Sequence, residues 1–257
     1  MRSLSVTGRS RRRVPITRSS SGVAVDLGSA RTRAWTPQHG LLFDVPTNSG
    51  RWGQLVHRGQ IVDIDAAAEL LGHLLRPHVG GRQLTVVATT PATSNEDHRS
   101  AIRAVLDVVC PETVLTIDGV KAAALGARAD LTESLLVVDV GAQLTEVALL
   151  TGGAVVRAHC TAWGVSDLGA AVSAGQLVEA IAESTIQLVG DECGSSVVDA
   201  LDRGVLLSGG GALRPEITYK LAQRLGATVD PAPAPQTAAV RGAGAVLQAA
   251  RRHPSAP

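Results

Sequence analysis

Two stretches decide the fold: Val25-Asp26-Leu27-Gly28-Ser29-Ala30-Arg31-Thr32 and Val138-Asp139-Val140-Gly141-Ala142-Gln143-Leu144-Thr145. Both follow the pattern V-D-apolar-G-small-x-x-T, and Asp139 comes 113 residues after Asp26. Each copy reads as a strand ending in Asp, a tight turn opened by Gly and a small residue, and a second strand. No side chain screens the backbone N–H groups of such a turn, so they can close on phosphate oxygens. Two such hairpins facing each other would cradle a polyphosphate from both sides. Asp26 and Asp139 would then reach a Mg²⁺ ion through its retained waters. The alternative is two unrelated hairpins that share only turn chemistry. One copy would be weak evidence; two copies at the separation of half-domains favour the phosphate reading.

Composition narrows the setting. The chain has 257 residues, 45% of them hydrophobic and 18% charged, with a formal net charge of +1. That excludes disorder as the main state. No run of 18 uncharged apolar residues occurs, so a spanning helix is not expected. The three cysteines, Cys110, Cys160 and Cys193, form no CxxC pair. A disulfide framework or zinc cluster is therefore not expected, and a reduced, cytoplasmic setting fits best. Aromatics are 2% of the chain, too few for base-stacking platforms, so no specific nucleic-acid partner is expected. Residues 1–25 carry six Arg and no acid, while acids outnumber bases in the remainder. The first 21 residues read as a basic, Ser-rich disordered tail. It lacks the apolar core of a secretory signal. It reads first as a solvated tail, with weak attraction to anionic lipid or nucleic acid as the functional alternative.

From Gly22 onward strands and helices alternate, which defines an α/β class. Strands are expected at GVAVDLG, RTRAW, QLTVVATT, VLTID, LLVVDVG, LTEVALL and GVLLSGGG. Thr93 with Glu96, and Ser94 with Asp97, offer overlapping capping boxes for a helix carrying Ile102, Val105, Leu106 and Val109 on one face. Asp63 and Asp65 form a DxD. Asp65 reads as the cap of the helix AAAELLGHLL rather than as a metal ligand. Further helices are expected at VKAAALGARA, at 176–189, at ALRPEITYKLAQRLG and, after the break APAPQ, at 237–250. A third glycine element, Leu207-Ser208-Gly209-Gly210-Gly211-Ala212, lies between a strand and a helix, where backbone can approach a ligand closely. His73 and His78 are five apart with Pro77 between them, which disfavours a zinc pair. His159 and Cys160 are adjacent, so their side chains should diverge along a strand. Trp163 reads as packing near the junction of the halves.

These residues together resemble the actin/Hsp70/sugar-kinase superfamily and, within it, the MreB family of bacterial actin homologues. VDLGSARTRAW is similar to the first phosphate loop, VVDVGAQLTEVAL to the second, and DRGVLLSGGGAL to the adenosine loop. Between them, residues 91–126 run without gaps against the family pattern, and the resemblance covers about residues 22–250. It implies an actin-like (ribonuclease H-like) fold of two related halves around a nucleotide cleft. The expected halves are 22–134 and 135–235. The last helix, within 236–257, should fold back onto the first half before a short tail. The resemblance assigns phosphate binding to Gly28, Ser29, Ala30, Arg31 and Thr32, and to Gly141, Ala142, Gln143 and Thr145. Adenosine falls to Gly209, Gly210, Gly211 and Ala212, and metal to Asp26 and Asp139. For Arg31, contact with phosphate and exposure to solvent both stay open.

The departures from the family pattern matter as much. The family carries an insertion in each half. Here only residues 47–55 separate the flanking matches in the first half, and GAAVSAG leads almost directly to the helix at Gln176 in the second. Both small subdomains should be largely absent, leaving a reduced form with a shallow, wet cleft in which phosphate contacts are screened. The family's water-positioning Glu aligns with Gly119, leaving Asp118 and Asp139 as weak catalytic candidates. The Gly-Gly-Thr-type turn of the second loop reads Ala142-Gln143-Leu144, and the family's membrane-inserting apolar pair is replaced by HVGGR at 78–82.

The resulting expectation is a cytoskeletal or scaffold protein linked to cell shape and cell-wall organisation. It would bind Mg-ATP or GTP weakly and hydrolyse it slowly or not at all. Its partners would be further copies, other actin-like filament proteins and cell-wall synthesis or morphogenesis proteins. It would sit in the cytoplasm, with the inner face of the membrane within reach of the Arg-rich tail. A functional Mg-ATPase and a small-molecule kinase of the same superfamily are the alternatives.

Overall fold

The computed structural model describes residues 21–80, 83–189 and 193–252. The basic tail expected over 1–21 lies outside them except for Ser21, as do Gly81 and Arg82 of the HVGGR stretch.

The chain builds one topology twice. In the first half, β1 (Gly22–Leu27), β2 (Arg31–Thr36) and β3 (Gly40–Pro46) form an antiparallel meander. Strands β4 (Val56–His57) and β5 (Gln60–Ile61) make a small separate hairpin. Helix α1 (Ile64–Leu75) leads to β6 (Thr85–Thr90), parallel to β1. Helix α2 (Glu96–Leu106) leads to β7 (Thr113–Asp118), parallel to β6, and α3 (Gly119–Ala127) follows. In the second half, β8 (Leu135–Val140), β9 (Thr145–Thr151) and β10 (Ala154–Thr161) repeat the meander. Helices α4 (Ala174–Val189) and α5 (Gly194–Arg203) precede β11 (Val205–Ser208), parallel to β8. Helix α6 (Pro215–Leu225), β12 (Val229–Pro231) and α7 (Ala238–Ala250) complete the chain. The sheet orders, β3-β2-β1-β6-β7 and β10-β9-β8-β11-β12, correspond strand for strand.

The equivalent helices α3 and α7 join the halves. Helix α7 lays Val240, Ala243 and Leu247 over Ala24 of β1 and Val87 of β6. Helix α3 lays Val120 and Ala124 over Val137, Ala148 and Leu150 of the second sheet. The two helices also meet each other backbone to backbone at Gly126 and Gly242. That approach explains their alanine content, since larger side chains would hold the axes apart. Arg241 donates to the carbonyls of Gly126 and Pro233, satisfying acceptors at the crossing.

Two helix starts differ from the sequence reading. Asp63, not Asp65, caps α1 by accepting from Ala66 N at 2.9 Å; Asp65 falls in the first turn, where its charge suits the helix dipole. Asn95, not Thr93 or Ser94, caps α2 by accepting from His98 N at 3.0 Å. Ser94 N donates to Pro91 O, so the preceding residues are spent in a turn. Helix α5, absent from the sequence reading, buries Val197 and Ala200. Only residues 47–55 connect β3 to β4, and only 162–173 connect β10 to α4. Neither connection holds a subdomain, so the fold is the reduced form.

Candidate functional site

The equivalent hairpins place their turns on opposite walls of one cleft of about 420 Å³. In the first, Gly28 N donates to Arg31 O at 3.1 Å; in the second, Gly141 N donates to Leu144 O at 2.9 Å. The second turn is braced from behind: Val165 N and Ser166 N donate to the carbonyls of Gly141 and Ala142. A Cβ on Gly164 would lie 2.4 Å from the Ala142 carbonyl carbon, so this brace requires glycine. The third loop follows β11, whose Ser208 pairs in register with Asp139. Gly209 adopts φ +80°, and a Cβ there would lie 2.2 Å from Asp139 Oδ1. Backbone therefore presses directly against that carboxylate.

Asp26, Gly28, Ser29, Ala30, Arg31, Asp139, Gly141, Ala142, Gln143, Gly209 and Gly210 all line the cleft. Five expected residues do not. Thr32 is buried, its hydroxyl 2.8 Å from that of Thr47. Thr145 is buried and donates to Trp163 O at 2.8 Å. In β2 the buried residues alternate as Thr32, Ala34 and Thr36, which sets this threonine on the core side. Gly211 and Ala212 are buried behind the third loop. Asp118 does not line the cleft, whereas Gly119 does. Burial raises the Asp118 carboxyl above its ordinary value. Arg31 lines the cleft with its side chain 40% exposed, and its Nε donates to Asp44 Oδ1 at 2.7 Å.

Register supplies the electrostatics. Asp26 lies opposite Arg33, and Asp139 lies opposite Glu146 at the equivalent point of the repeat. Asp26 accepts from Thr89 Oγ1 at 2.8 Å and pairs with Arg33 at 3.4 Å. Asp139 has an acid for a neighbour. Burial, then the charge of Asp26, push its carboxyl up to about 7, with Arg33 opposing. Burial, then Asp139, push Glu146 up to about 8. Glu146 and Cys160 sit at the back of the site. Burial and the Glu146 charge drive the Cys160 thiol up to about 12, so it is no nucleophile at neutral pH. His98 also lines the cleft, with Nδ1 3.2 Å from Gln60 Oε1, and burial lowers its pKa.

Asn48 and Glu146 were missing from the sequence reading. Asn48 ties the first turn to the β4–β5 hairpin: Nδ2 donates to Ser29 O at 2.8 Å and Val56 O at 2.7 Å, and Oδ1 accepts from Leu55 N and Val56 N. No short motif marks such a residue, because its partners lie up to 19 positions away. Asn48→Ala leaves four polar groups without their partner and should cost about 2–4 kcal/mol by denaturant titration. Retained stability would show that water replaces the amide. Glu146 had a signal: it is the repeat partner of Arg33.

Among the described residues, no group of three or more His, Cys, Asp or Glu could hold a metal ion directly. Asp26 and Asp139 are oxygen donors on one cleft, which suits a hard cation keeping most of its waters.

Doubled meanders, paired turns and a shared cleft define the actin-like class of α/β proteins. Residues 54–174 match the model of the MreB/Mbl protein family. No curated protein matches the sequence significantly. Among solved structures, MreB5 of Spiroplasma citri bound to AMPPNP superposes with a TM-score of 0.76 at 17% identity, covering 90% of this chain and 97% of that one. A MamK double helical filament gives 0.72 at 14% identity, covering 88% and 98%. The ethanolamine utilization protein EutJ from Carboxydothermus hydrogenoformans gives 0.59 at 18% identity, covering 86% and 88%. The chain therefore has the actin-like fold, and over residues 54–174 it is similar to the MreB/Mbl protein family.

Proposed function

We propose that this chain is a nucleotide-binding cytoskeletal or scaffold protein, linked to cell shape and cell-wall organisation, that binds Mg-ATP or GTP weakly. The observation that carries this reading is the pair of glycine turns on one cleft with Asp26 and Asp139 between them. Gly28 to Arg31 and Gly141 to Gln143 hold the phosphates in this reading, and Gly209 and Gly210 border the nucleoside. The relative MreB5 was solved with AMPPNP and with ADP, which supports a nucleotide ligand. Asp26 and Asp139 would hold Mg²⁺ through its waters, and the ion would supply charge neutralisation for the phosphates. Weak affinity follows from two features. No subdomain walls the cleft, so contacts stay screened. Asp26 also opposes a polyphosphate until a cation is present, joined by Asp139 and Glu146 as they lose their protons near pH 7 to 8.

Division into halves 22–134 and 135–235, with the last helix returned to the first half, belongs to this proposal. So do assembly with further copies or other actin-like filament proteins, for which the MamK filament is the supporting likeness, and partnership with cell-wall synthesis proteins. The site of action is the cytoplasm, with anionic membrane reached by the Arg-rich tail. No helix among the described residues is long and apolar enough to cross a membrane.

Titration calorimetry with ATP and Mg²⁺ should give a Kd of about 10 μM or weaker. Pelleting should increase when both are added. Sub-micromolar binding would overturn the weak-affinity part. Absence of heat with ATP, GTP and ADP would overturn nucleotide binding.

A further inference from the structure

Beside the third glycine loop, the cleft is walled by a segment that is neither strand nor α-helix. Residues 233–237 run from β12 to α7, and Pro235 and Gln236 line the cleft with Gly209 and Gly210. The segment is costly where it stands. Ala234 adopts φ +44°, a left-handed conformation that a residue with a Cβ seldom takes. The Gln236 amide oxygen is buried without a hydrogen-bond partner among the described residues. Two sides hold the segment. From the glycine loop, Gly209 N donates to Pro235 O at 3.2 Å, so loop and segment move together. From α7, Arg241 reaches back over it: Nη2 donates to Pro233 O, and Nη1 donates to Thr237 Oγ1 at 3.4 Å. Thr237 Oγ1 in turn donates to Ala234 O at 3.1 Å, on the residue in the left-handed conformation. Arg241 Nη2 also donates to Gly126 O at 3.1 Å, at the end of α3. One guanidinium therefore ties both ends of the segment to the crossing of the two halves. Among the described residues no carboxylate pairs with Arg241, and burial, then the charge of Arg128, lower its pKa. A cation held by carbonyls against a second cation serves geometry rather than charge balance.

We infer that Arg241 is the positioning residue for the nucleoside part of the ligand, acting through residues 233–237 without touching the ligand itself. This rests on the nucleotide-binding reading above. Arg241 does not line the cleft, whereas Pro235, Gln236 and Ala239 on the same stretch of chain do. A planar fork holds several acceptors in fixed directions, which a single ammonium cannot. Without it, Ala234 can leave its left-handed conformation, Gln236 can turn its amide to water, and Pro235 O can drop Gly209 N. The wall must then be ordered each time a nucleoside docks, and that cost is subtracted from affinity. The phosphate turns at 28–31 and 141–144 are spared, since no backbone hydrogen bond joins either to the segment among the described residues. The turns thus hold phosphates, and the braced segment distinguishes a nucleotide from a bare polyphosphate.

The test is titration calorimetry with Mg-ATP and, separately, with magnesium tripolyphosphate. Arg241→Leu should weaken ATP about tenfold and leave tripolyphosphate within about threefold of the parent. A merely structural loss would move both ligands together. Arg241→Lys keeps the charge and one reach, so its ATP affinity should fall between those of the parent and Arg241→Leu. Thermal melting checks that each variant folds. If Arg241→Leu does not, Arg241→Lys decides the matter, with ATP weakened at least about threefold and tripolyphosphate unchanged. Parent-like ATP affinity in the deciding variant, or equal losses for the two ligands, overturns the inference and leaves nucleotide binding standing. If the parent binds ATP but no tripolyphosphate, the nucleoside side carries the affinity, and an ATP loss below those values overturns the inference. A parent chain that binds no nucleotide fails the earlier reading and removes this one with it.

Discussion

Gly242→Ala should destabilise the protein by at least about 3 kcal/mol and lower its melting temperature by roughly 6–12 °C. The added Cβ would fall 1.7 Å from Ala122 O, 2.6 Å from Ala122 C and 2.9 Å from Gly126 N. All three are backbone atoms of α3, so no rotamer change relieves the clash. The helices must separate, and separation lifts Val240, Ala243 and Leu247 off β1 and β6. Gly126→Ala should act alike, since its Cβ would meet Ala238 O at 2.0 Å. Gly175→Ala is the control: its Cβ meets only Ser173 Oγ, at 3.8 Å, and helix propensity should leave stability within about 0.5 kcal/mol of the parent. Melting of Gly242→Ala within about 2 °C of the parent would mean that the helices cross farther apart than described.

Stability of the ligand-free protein should fall as pH rises from about 4 to about 8. Asp139 and Glu146 both titrate above their ordinary values, at about 7 and about 8. Within that window the folded protein keeps protons that the unfolded chain has released, so raising the pH favours unfolding. The stabilisation is fully present below the unfolded values and gone above the folded ones. Its size is on the order of several kcal/mol. Asp26, Asp118, Arg33 and Cys160 are the other titratable groups facing the pair. Acids with lowered values, such as Glu96 and Glu179, are exposed on the surface and weigh little against it. Glu146→Gln should flatten the profile, because the amide oxygen still accepts from Ala92 N and carries no charge. Its melting temperature should exceed that of the parent at pH 8 and match it at pH 5. Mg²⁺ should raise the parent's melting temperature at pH 8. A parent more stable at pH 8 than at pH 5, without divalent cation, would remove this account.

The stability cost then falls on two neighbouring residues, Asp139 and Glu146. Two carboxylates facing one cleft on adjacent strands are costly in the empty protein. A cation with a polyphosphate is what would relieve them. A residue kept against that cost is what a site, rather than a core, would keep.

Much of this was legible in the chain. Strand ends, glycine turns and the 113-residue echo depend on residues adjacent in sequence, and they define the α/β class and the actin-like likeness. Helix caps were legible only to within two residues, because several candidate side chains stood in a row and chain direction chose among them. Thr32 and Thr145 match perfectly in the repeat yet turn into the core. Pleat alternation and partners at Thr47 and Trp163 decide that, not the motif. Gly126 and Gly242 touch across 116 positions, so nothing local distinguishes them from other helix glycines. Glu146 shows the division best. Sequence placed it seven residues after Asp139. Strand register made the two neighbours, burial raised both their proton affinities, and the bare backbone of Gly119 opened the space before it. Charge and packing act through distance in space, and only the folded chain sets that distance.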